Sequence, residues 1–123
     1  MALGYKPHVA IKQLNAHTAL VCGVAQAWLS QRGFDCVITS LDDSGHSAQS
    51  KHYARNNTSG QCEAVDLRTK HLSGIQRDLF YNFMDITLEP MGYDVVLESP
   101  GETNEHLHVE FDPKAGESFA RVV

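Results

Sequence analysis

The stretch YDVVLESPGETNEHLHVEF, residues 93–111, decides the fold because it predicts a β-hairpin. Residues 93–99 are rich in apolar and β-branched side chains, and residues 106–111 alternate strictly between polar and apolar side chains. Residues 100–105, PGETNE, are rich in turn-forming residues. Two strands joined by so short a turn are expected to pair antiparallel.

The alternation in residues 106–111 also assigns the two faces of that strand, because successive side chains point to opposite sides of a sheet. The apolar set, expected in the core, is Leu107, Val109 and Phe111. The polar set is His106, His108 and Glu110. A polar face with two imidazoles is either a solvated surface or part of a metal site, and the strand alone leaves both interpretations open.

Apolar side chains at helical spacing predict two helices. The first covers residues 9–32 and ends at Gly33, a residue type favoured just after a helix. The second covers residues 73–92, with Ser73 as its N-cap and Pro90 and Gly92 at its end. One face of this second helix carries Leu79, Phe83 and Ile86.

Two further strands are predicted at residues 34–40 and 62–69, separated by a polar loop at residues 41–60. The order of elements is therefore helix, strand, loop, strand, helix, strand, strand. This order predicts an α+β fold, with a small, largely antiparallel sheet and helices packed on one face. The 123 residues suffice for one domain, which we assign to residues 1–123.

Composition and charge exclude several classes of protein. A net charge of −5 and a pI near 5.7 argue against a protein that binds nucleic acid through its phosphates. No apolar run approaches the roughly 20 residues that cross a bilayer. The start, MALGYKPHVAIK, lacks the apolar segment of a secretory signal. We expect a protein made in the cytosol without a Sec signal, with no nucleic-acid partner and no membrane insertion.

The three cysteines, Cys22, Cys36 and Cys62, are an odd number at no spacing typical of a metal site. Cys22 falls in a predicted helix and Cys36 in a predicted strand. We expect buried, reduced thiols that serve as small apolar side chains.

A second group of candidate ligands precedes the hairpin, since His52 and Asp66 flank the polar loop. Catalytic zinc sites take three ligands from His, Asp or Glu and leave a position for water. One histidine and one aspartate from this region, together with a histidine of the last strand, would supply that set. An acid beside such a site can act as general base, and Glu105 and Glu102 both lie close before His108.

At this point the motifs resemble those of the zinc D-alanyl-D-alanine carboxypeptidase family, whose fold is shared with the hedgehog signalling domain. The family pattern has Ser-x-His and Ala-x-Asp, followed near the C-terminus by an acid and a pair such as His-x-His. Here SKH at residues 50–52, AVD at residues 64–66 and EHLH at residues 105–108 match it. The resemblance covers residues 34–112, and HSAQSKHY is similar to the lead-in of short phage-borne members.

The resemblance implies a role for each matching residue. It makes His52, Asp66 and His108 the zinc ligands. It makes Glu105 the general base and proton shuttle, and His106 a partner that stabilises the charge on the tetrahedral intermediate. Ser50 becomes a hydrogen-bonding residue for substrate or ligands. Arg55, a cation in the same loop, either binds a substrate carboxylate or forms a salt bridge.

The chain departs from the family at one place. Thirteen residues lie between His52 and Asp66, where the family usually has six, and RNNTSG at residues 55–60 looks like an insertion. A polar insertion can bulge outward without moving the ligands, because the cost of loop closure grows slowly with loop length. His46 is the alternative first ligand, and Glu102 the alternative base.

The resemblance therefore implies a zinc-dependent peptidase that cleaves peptidoglycan stem peptides, similar to a phage endolysin, and acting as a monomer. Both D-alanyl-D-alanine carboxypeptidases and L-alanyl-D-glutamate endopeptidases belong to the family, and the sequence does not separate them. Such a protein reaches the cell wall if it is released through a membrane pore. The alternatives are a non-catalytic zinc-binding module of the same fold and a phage structural protein.

Overall fold

The computed structural model describes residues 3–5, 16–41 and 64–112. Within these ranges the chain forms five strands and two α-helices. In chain order they are β1 Leu3–Tyr5, α1 Ala16–Gln31, β2 Cys36–Ser40, β3 Ala64–Arg68, α2 Gly74–Leu88, β4 Tyr93–Glu98 and β5 His106–Phe111. A single 3₁₀ turn, Glu89–Met91, joins α2 to β4. The second helix and the strands on either side therefore follow the predicted order.

The strands form one sheet in the order β1-β2-β3-β5-β4. The predicted hairpin is confirmed, since β4 and β5 pair antiparallel with Val95 opposite Val109. β3 pairs antiparallel with both β2 and β5. Only β1, which was not predicted from the sequence, adds a parallel pairing among the described strands, with β2. The predicted α+β fold with a largely antiparallel sheet is thus confirmed.

One face of the sheet and both helices enclose a single apolar core. The two strands of the hairpin contribute alternate residues, as predicted, with Leu107 and Val109 buried and Phe111 packed against the cluster. The buried residues of the helices in the same cluster are Val21, Cys22, Ala25, Trp28 and Leu29 from α1, and Phe80, Met84 and Leu88 from α2. The opposite face of the sheet carries the polar side chains of β5. None of the described helices is both long and apolar enough to span a bilayer.

The two helix ends predicted from the sequence have the expected geometry. α1 ends at Gly33, whose φ of 81° lies in the left-handed region that glycine adopts without strain. The amides of Gly33 and Phe34 donate to the carbonyls of Ser30 and Leu29, which is the pattern of a Schellman motif. Residues 9–15 of the predicted first helix lie outside the described residues.

α2 begins at the predicted N-cap, because the hydroxyl of Ser73 accepts a hydrogen bond from the amide of Gln76 at 3.2 Å. The face predicted from Leu79, Phe83 and Ile86 is not the one that is buried. Leu79 is 49% exposed and Ile86 is 75% exposed, and only Phe83 packs partly against the core. Both apolar stripes repeat at helical spacing, so the sequence could not tell which one the sheet covers.

Cys22 and Cys36 are both buried and free, as predicted, and Cys62 lies outside the described residues. Burial raises the pKa of the Cys22 thiol to about 11. Burial, with a smaller contribution from the nearby Cys22, raises the pKa of the Cys36 thiol to about 12. Both side chains are therefore protonated and apolar at neutral pH.

We expect Phe80→Ala to lower the free energy of unfolding by about 3–5 kcal/mol, because it leaves a cavity in a fully buried position. Ile86→Ala removes a large side chain from the exposed face of the same helix and is the matched control, with an expected change within about 0.5 kcal/mol. Urea unfolding followed by circular dichroism measures both. Equal losses for the two variants would contradict the assigned faces of α2.

We also expect the two buried thiols to resist modification in the folded protein. In a Cys62→Ser background at pH 8, a disulfide reagent should label neither Cys22 nor Cys36, because the reactive form is the thiolate. After unfolding in guanidinium both should react. Rapid labelling of the folded protein, measured by mass spectrometry, would contradict their placement in the core.

Candidate metal centre on the open sheet face

The register of the three adjacent strands β3, β5 and β4 brings the polar side chains together on the face opposite the helices. Asp66 on β3 lies opposite His108 on β5. One row further along, His106 lies opposite Glu98 on β4. Residues that face each other across neighbouring strands point to the same side of the sheet. Carboxylates from two strands therefore flank the two histidines of the third.

His108 lies between two carboxylates. Its Nδ1 donates to Asp66 Oδ1 at 2.7 Å, and its Nε2 donates to Glu110 Oε1 at 2.8 Å. Burial alone would lower the pKa of this imidazole, but the hydrogen bonds to Asp66 and Glu110 outweigh it and raise the pKa to about 10. In the metal-free protein the ring is thus an imidazolium, and a metal that binds it must displace a proton.

His106 is held in a different way. Its Nδ1 lies 2.7 Å from the carbonyl oxygen of Asn104. A carbonyl can only accept, so Nδ1 carries the proton, and in the neutral ring Nε2 keeps its lone pair. That Nε2 faces Asp66 Oδ2 at 3.7 Å and Glu98 Oε2 at 3.6 Å. His106 therefore turns Nε2 toward two carboxylates.

Glu98 belongs to this face and was missed in the sequence analysis. Its Oε2 lies 3.6 Å from His106 Nε2, and its Oε1 lies 3.8 Å from His108 Nδ1. The side chain is 44% exposed, so it borders both the histidines and the solvent. The signal that could have found it is hairpin register, because position 98 lies across from position 106.

Glu105, the predicted base, lies away from both histidines. Its side chain is only 7% exposed and accepts hydrogen bonds from Thr69 Oγ1 at 2.6 Å, Gly101 N at 2.9 Å and Arg77 Nη1 at 3.0 Å. Burial alone would raise the pKa of this carboxyl, but these hydrogen bonds outweigh it and lower the pKa. The geometry favours a structural role for Glu105 over the predicted catalytic one.

Strand alternation explains this placement. Position 105 has the same parity as Leu107 and Val109, so its side chain turns toward the core side of the sheet. Glu105 lies only three residues before His108, which suggested that the two side chains are close. Their side chains point to opposite sides of the sheet instead. Glu102, the alternative base, is exposed in the turn, and its carbonyl accepts from the amide of Glu105.

Several predicted site residues cannot be placed. His52, Ser50, Arg55 and the alternative ligand His46 lie outside the described residues. The structure brings Asp66, His106 and His108 together on one face of the sheet, with direct contact between Asp66 and His108.

The imidazole nitrogens and carboxylate oxygens on this face are atom types that bind zinc. Two ligands of one tetrahedral zinc lie about 3.3 Å apart when both bonds are about 2.0 Å long. His106 Nε2 is 3.6–3.7 Å from each of two carboxylate oxygens, beyond hydrogen-bond distance and near this spacing. Within residues 3–5, 16–41 and 64–112, however, no three His, Cys, Asp or Glu side chains form a ready-made cage for a metal ion. A closed site requires rearrangement here or a donor from elsewhere in the chain.

Comparisons with known proteins return no match, whether the chain is compared with protein-family models, with curated proteins or with solved structures. The site is therefore interpreted from its own geometry and from the motif resemblance.

We expect zinc affinity to depend on this face. Asp66→Ala and His108→Ala should each weaken zinc binding by about 10-fold or more, since each removes a donor or the partner that orients it. Isothermal titration calorimetry on the metal-free protein measures the effect. His71→Ala is the matched control, because His71 is an exposed imidazole whose Nε2 contacts the carbonyl of Asp35 instead. Equal affinity for all three variants would place the metal elsewhere.

Proposed function

We propose that this chain is a zinc-dependent peptidase that cleaves the stem peptides of peptidoglycan. The observation that carries the proposal is the convergence of His106, His108, Asp66 and Glu98 on the face of the sheet away from the helices. Imidazoles and carboxylates are the donor types that catalytic zinc sites use. The stem-peptide substrate rests on the motif resemblance.

In this proposal Asp66 and His108 hold zinc together with His52. Zinc at such a site acts as a Lewis acid and lowers the pKa of a coordinated water toward neutrality. Asp66 has a second task, because its Oδ1 orients the His108 ring through the 2.7 Å hydrogen bond. Glu110 holds the other nitrogen of the same ring. Hydrogen bonds at both nitrogens fix the orientation of the His108 ring in the metal-free protein.

We assign the general base to Glu98 in place of Glu105. The carboxylate of Glu98 makes no hydrogen bond to another described side chain and is partly exposed, so a substrate and a water can reach it. It would take a proton from the attacking water and return it to the leaving amine, so that it ends each cycle in its starting form. Glu105 lacks this freedom, because three donors already engage its carboxylate.

The finer features of the proposal come from residues outside the described ranges. Ser50 would hydrogen-bond the substrate and Arg55 would bind its carboxylate. The insertion between His52 and Asp66 lies in the same segment and would tune the choice between a terminal D-alanine and an internal bond. The phage endolysin role belongs to the same proposal.

A non-catalytic zinc-binding module is the second candidate, and one observation favours it. Carboxylates already engage both nitrogens of His108, which suits a fixed, structural site. The two candidates differ in whether Glu98 acts as a general base.

We expect Glu98→Gln to lower the rate of stem-peptide cleavage by about 100-fold or more, because general acid–base catalysis contributes about 10²–10⁴-fold. Zinc affinity should change far less than the rate. Mass spectrometry of fragments released from purified peptidoglycan measures the rate and also identifies the bond that is cut. Glu102→Gln, in the exposed turn, is the matched control and should leave the rate unchanged.

Two results would separate the alternatives. If wild-type protein with one equivalent of zinc leaves cell walls and synthetic stem peptides intact, the peptidase proposal fails and the module is favoured. If Glu98→Gln is fully active while Glu105→Gln is inactive with normal zinc binding, the base is Glu105.

A further inference from the structure

The buried carboxylate of Glu105 joins three separate parts of the fold. Thr69, directly after β3, donates to Oε2, while Arg77 of α2 and the amide of Gly101 in the β4–β5 turn donate to Oε1. A buried carboxylate requires such donors, since an unpaired one would cost several kcal/mol. Glu105 thus anchors the turn to both the sheet and the helix.

The turn that it anchors has little freedom to move. Its backbone adopts positive φ at Ser99 and Gly101, with values of 51° and 82°. Two internal hydrogen bonds close it, from Glu102 N to Ser99 O and from Glu105 N to Glu102 O. At its far end, Lys70 Nζ donates to the carbonyl of Thr103 at 3.0 Å. The position of the next carbonyl, that of Asn104, is set by these contacts.

The Asn104 carbonyl controls the tautomer of His106. It accepts from Nδ1 at 2.7 Å, so the neutral ring carries its proton on Nδ1 and its lone pair on Nε2. Nε2 is the nitrogen that faces Asp66 and Glu98. If the carbonyl shifted, the ring could exchange tautomers and the nitrogen facing the carboxylates would become a donor.

We propose that Glu105 is a positioning residue for His106: it holds the β4–β5 turn so that the Asn104 carbonyl keeps the proton on Nδ1 and the ring turns Nε2 toward Asp66 and Glu98, beside the zinc ligands. The inference rests on the proposed function in one respect, namely that this face binds zinc. It gives His106 a task different from the charge-stabilising one that the resemblance implies.

The inference also explains why an acid precedes the histidine pair without contacting it. A glutamate at position 105 reaches the core side of the sheet, where Thr69 and Arg77 are available, while His106 reaches the open face. Glu105 therefore connects contacts on the core side of the sheet to the orientation of His106 on the opposite face.

The test compares three variants that each remove contacts of the anchor: Glu105→Gln, Thr69→Val and Arg77→Met. Asp78→Asn is the matched control, since Asp78 is the other, exposed partner of the Arg77 guanidinium. Nitrogen-15 NMR of the metal-free protein reports which ring nitrogen of His106 carries a proton. Titration calorimetry with zinc chloride reports the affinity.

We expect wild type and Asp78→Asn to show the Nδ1–H tautomer of His106. The three anchor variants should show a mixture of tautomers and an affinity for zinc lowered by about 10- to 100-fold. Phe80→Ala serves as a control for general destabilisation, because it weakens the core without touching the anchor, and should keep the wild-type tautomer. If Glu105→Gln does not fold, Thr69→Val and Arg77→Met, which each remove a single donor, decide the result.

Unchanged tautomer and affinity in all folded anchor variants would overturn the inference. A loss of the tautomer in Phe80→Ala as large as in the anchor variants would also overturn it, because the effect would then be one of stability. The proposed function fails by a different result, the absence of peptide cleavage by the zinc-loaded wild type, so the two failures are distinguishable.

Discussion

The position of β5 between β3 and β4 is the constraint on which the rest of the structure depends. Its Leu107 and Val109 meet apolar partners on both neighbouring strands and close the core against the helices. A shift of one residue in this pairing would turn these side chains to solvent and bury the two histidines, so the register is strongly specified. The same register sets the polar face, where Asp66 and Glu98 come to lie beside His106 and His108. Core and candidate site are two consequences of one pairing.

The ionisable side chains on the polar face affect one another's protonation. His108 is largely shielded from water, and the hydrogen bonds to Asp66 and Glu110 at its two nitrogens raise its pKa to about 10. Three carboxylates, those of Asp66, Glu98 and Glu110, lie within 3.8 Å of the two imidazoles. The two buried or half-buried acids nearby, Glu98 and Glu105, differ in their surroundings and hence in what they can do.

Most of the fold around the site was predictable. Alternation in residues 106–111 predicted which side chains of β5 face the core and which face away from it. Ser73 and Gly33 correctly predicted the start of α2 and the end of α1. The prediction of which face of α2 is buried was wrong, since Leu79 and Ile86 are exposed. That helix has two apolar stripes, and only packing against the sheet selects one of them. The motif resemblance implies that Asp66 and His108 are ligands of one zinc ion, and the structure shows a direct contact between their side chains.

The sequence by itself determined the local elements, the faces of the last strand and the types of side chain available for a metal, because these depend on periodicities and residue chemistry that a short window contains. Only the tertiary structure decided which acid accompanies the histidines. Glu105 is nearest along the chain, but its side chain turns to the core side and is bound by Thr69, Gly101 and Arg77. Glu98 is eight positions from His106 and reaches it across the hairpin. The physical reason is that side-chain direction and strand register, which set distances in space, are not fixed by separation along the chain.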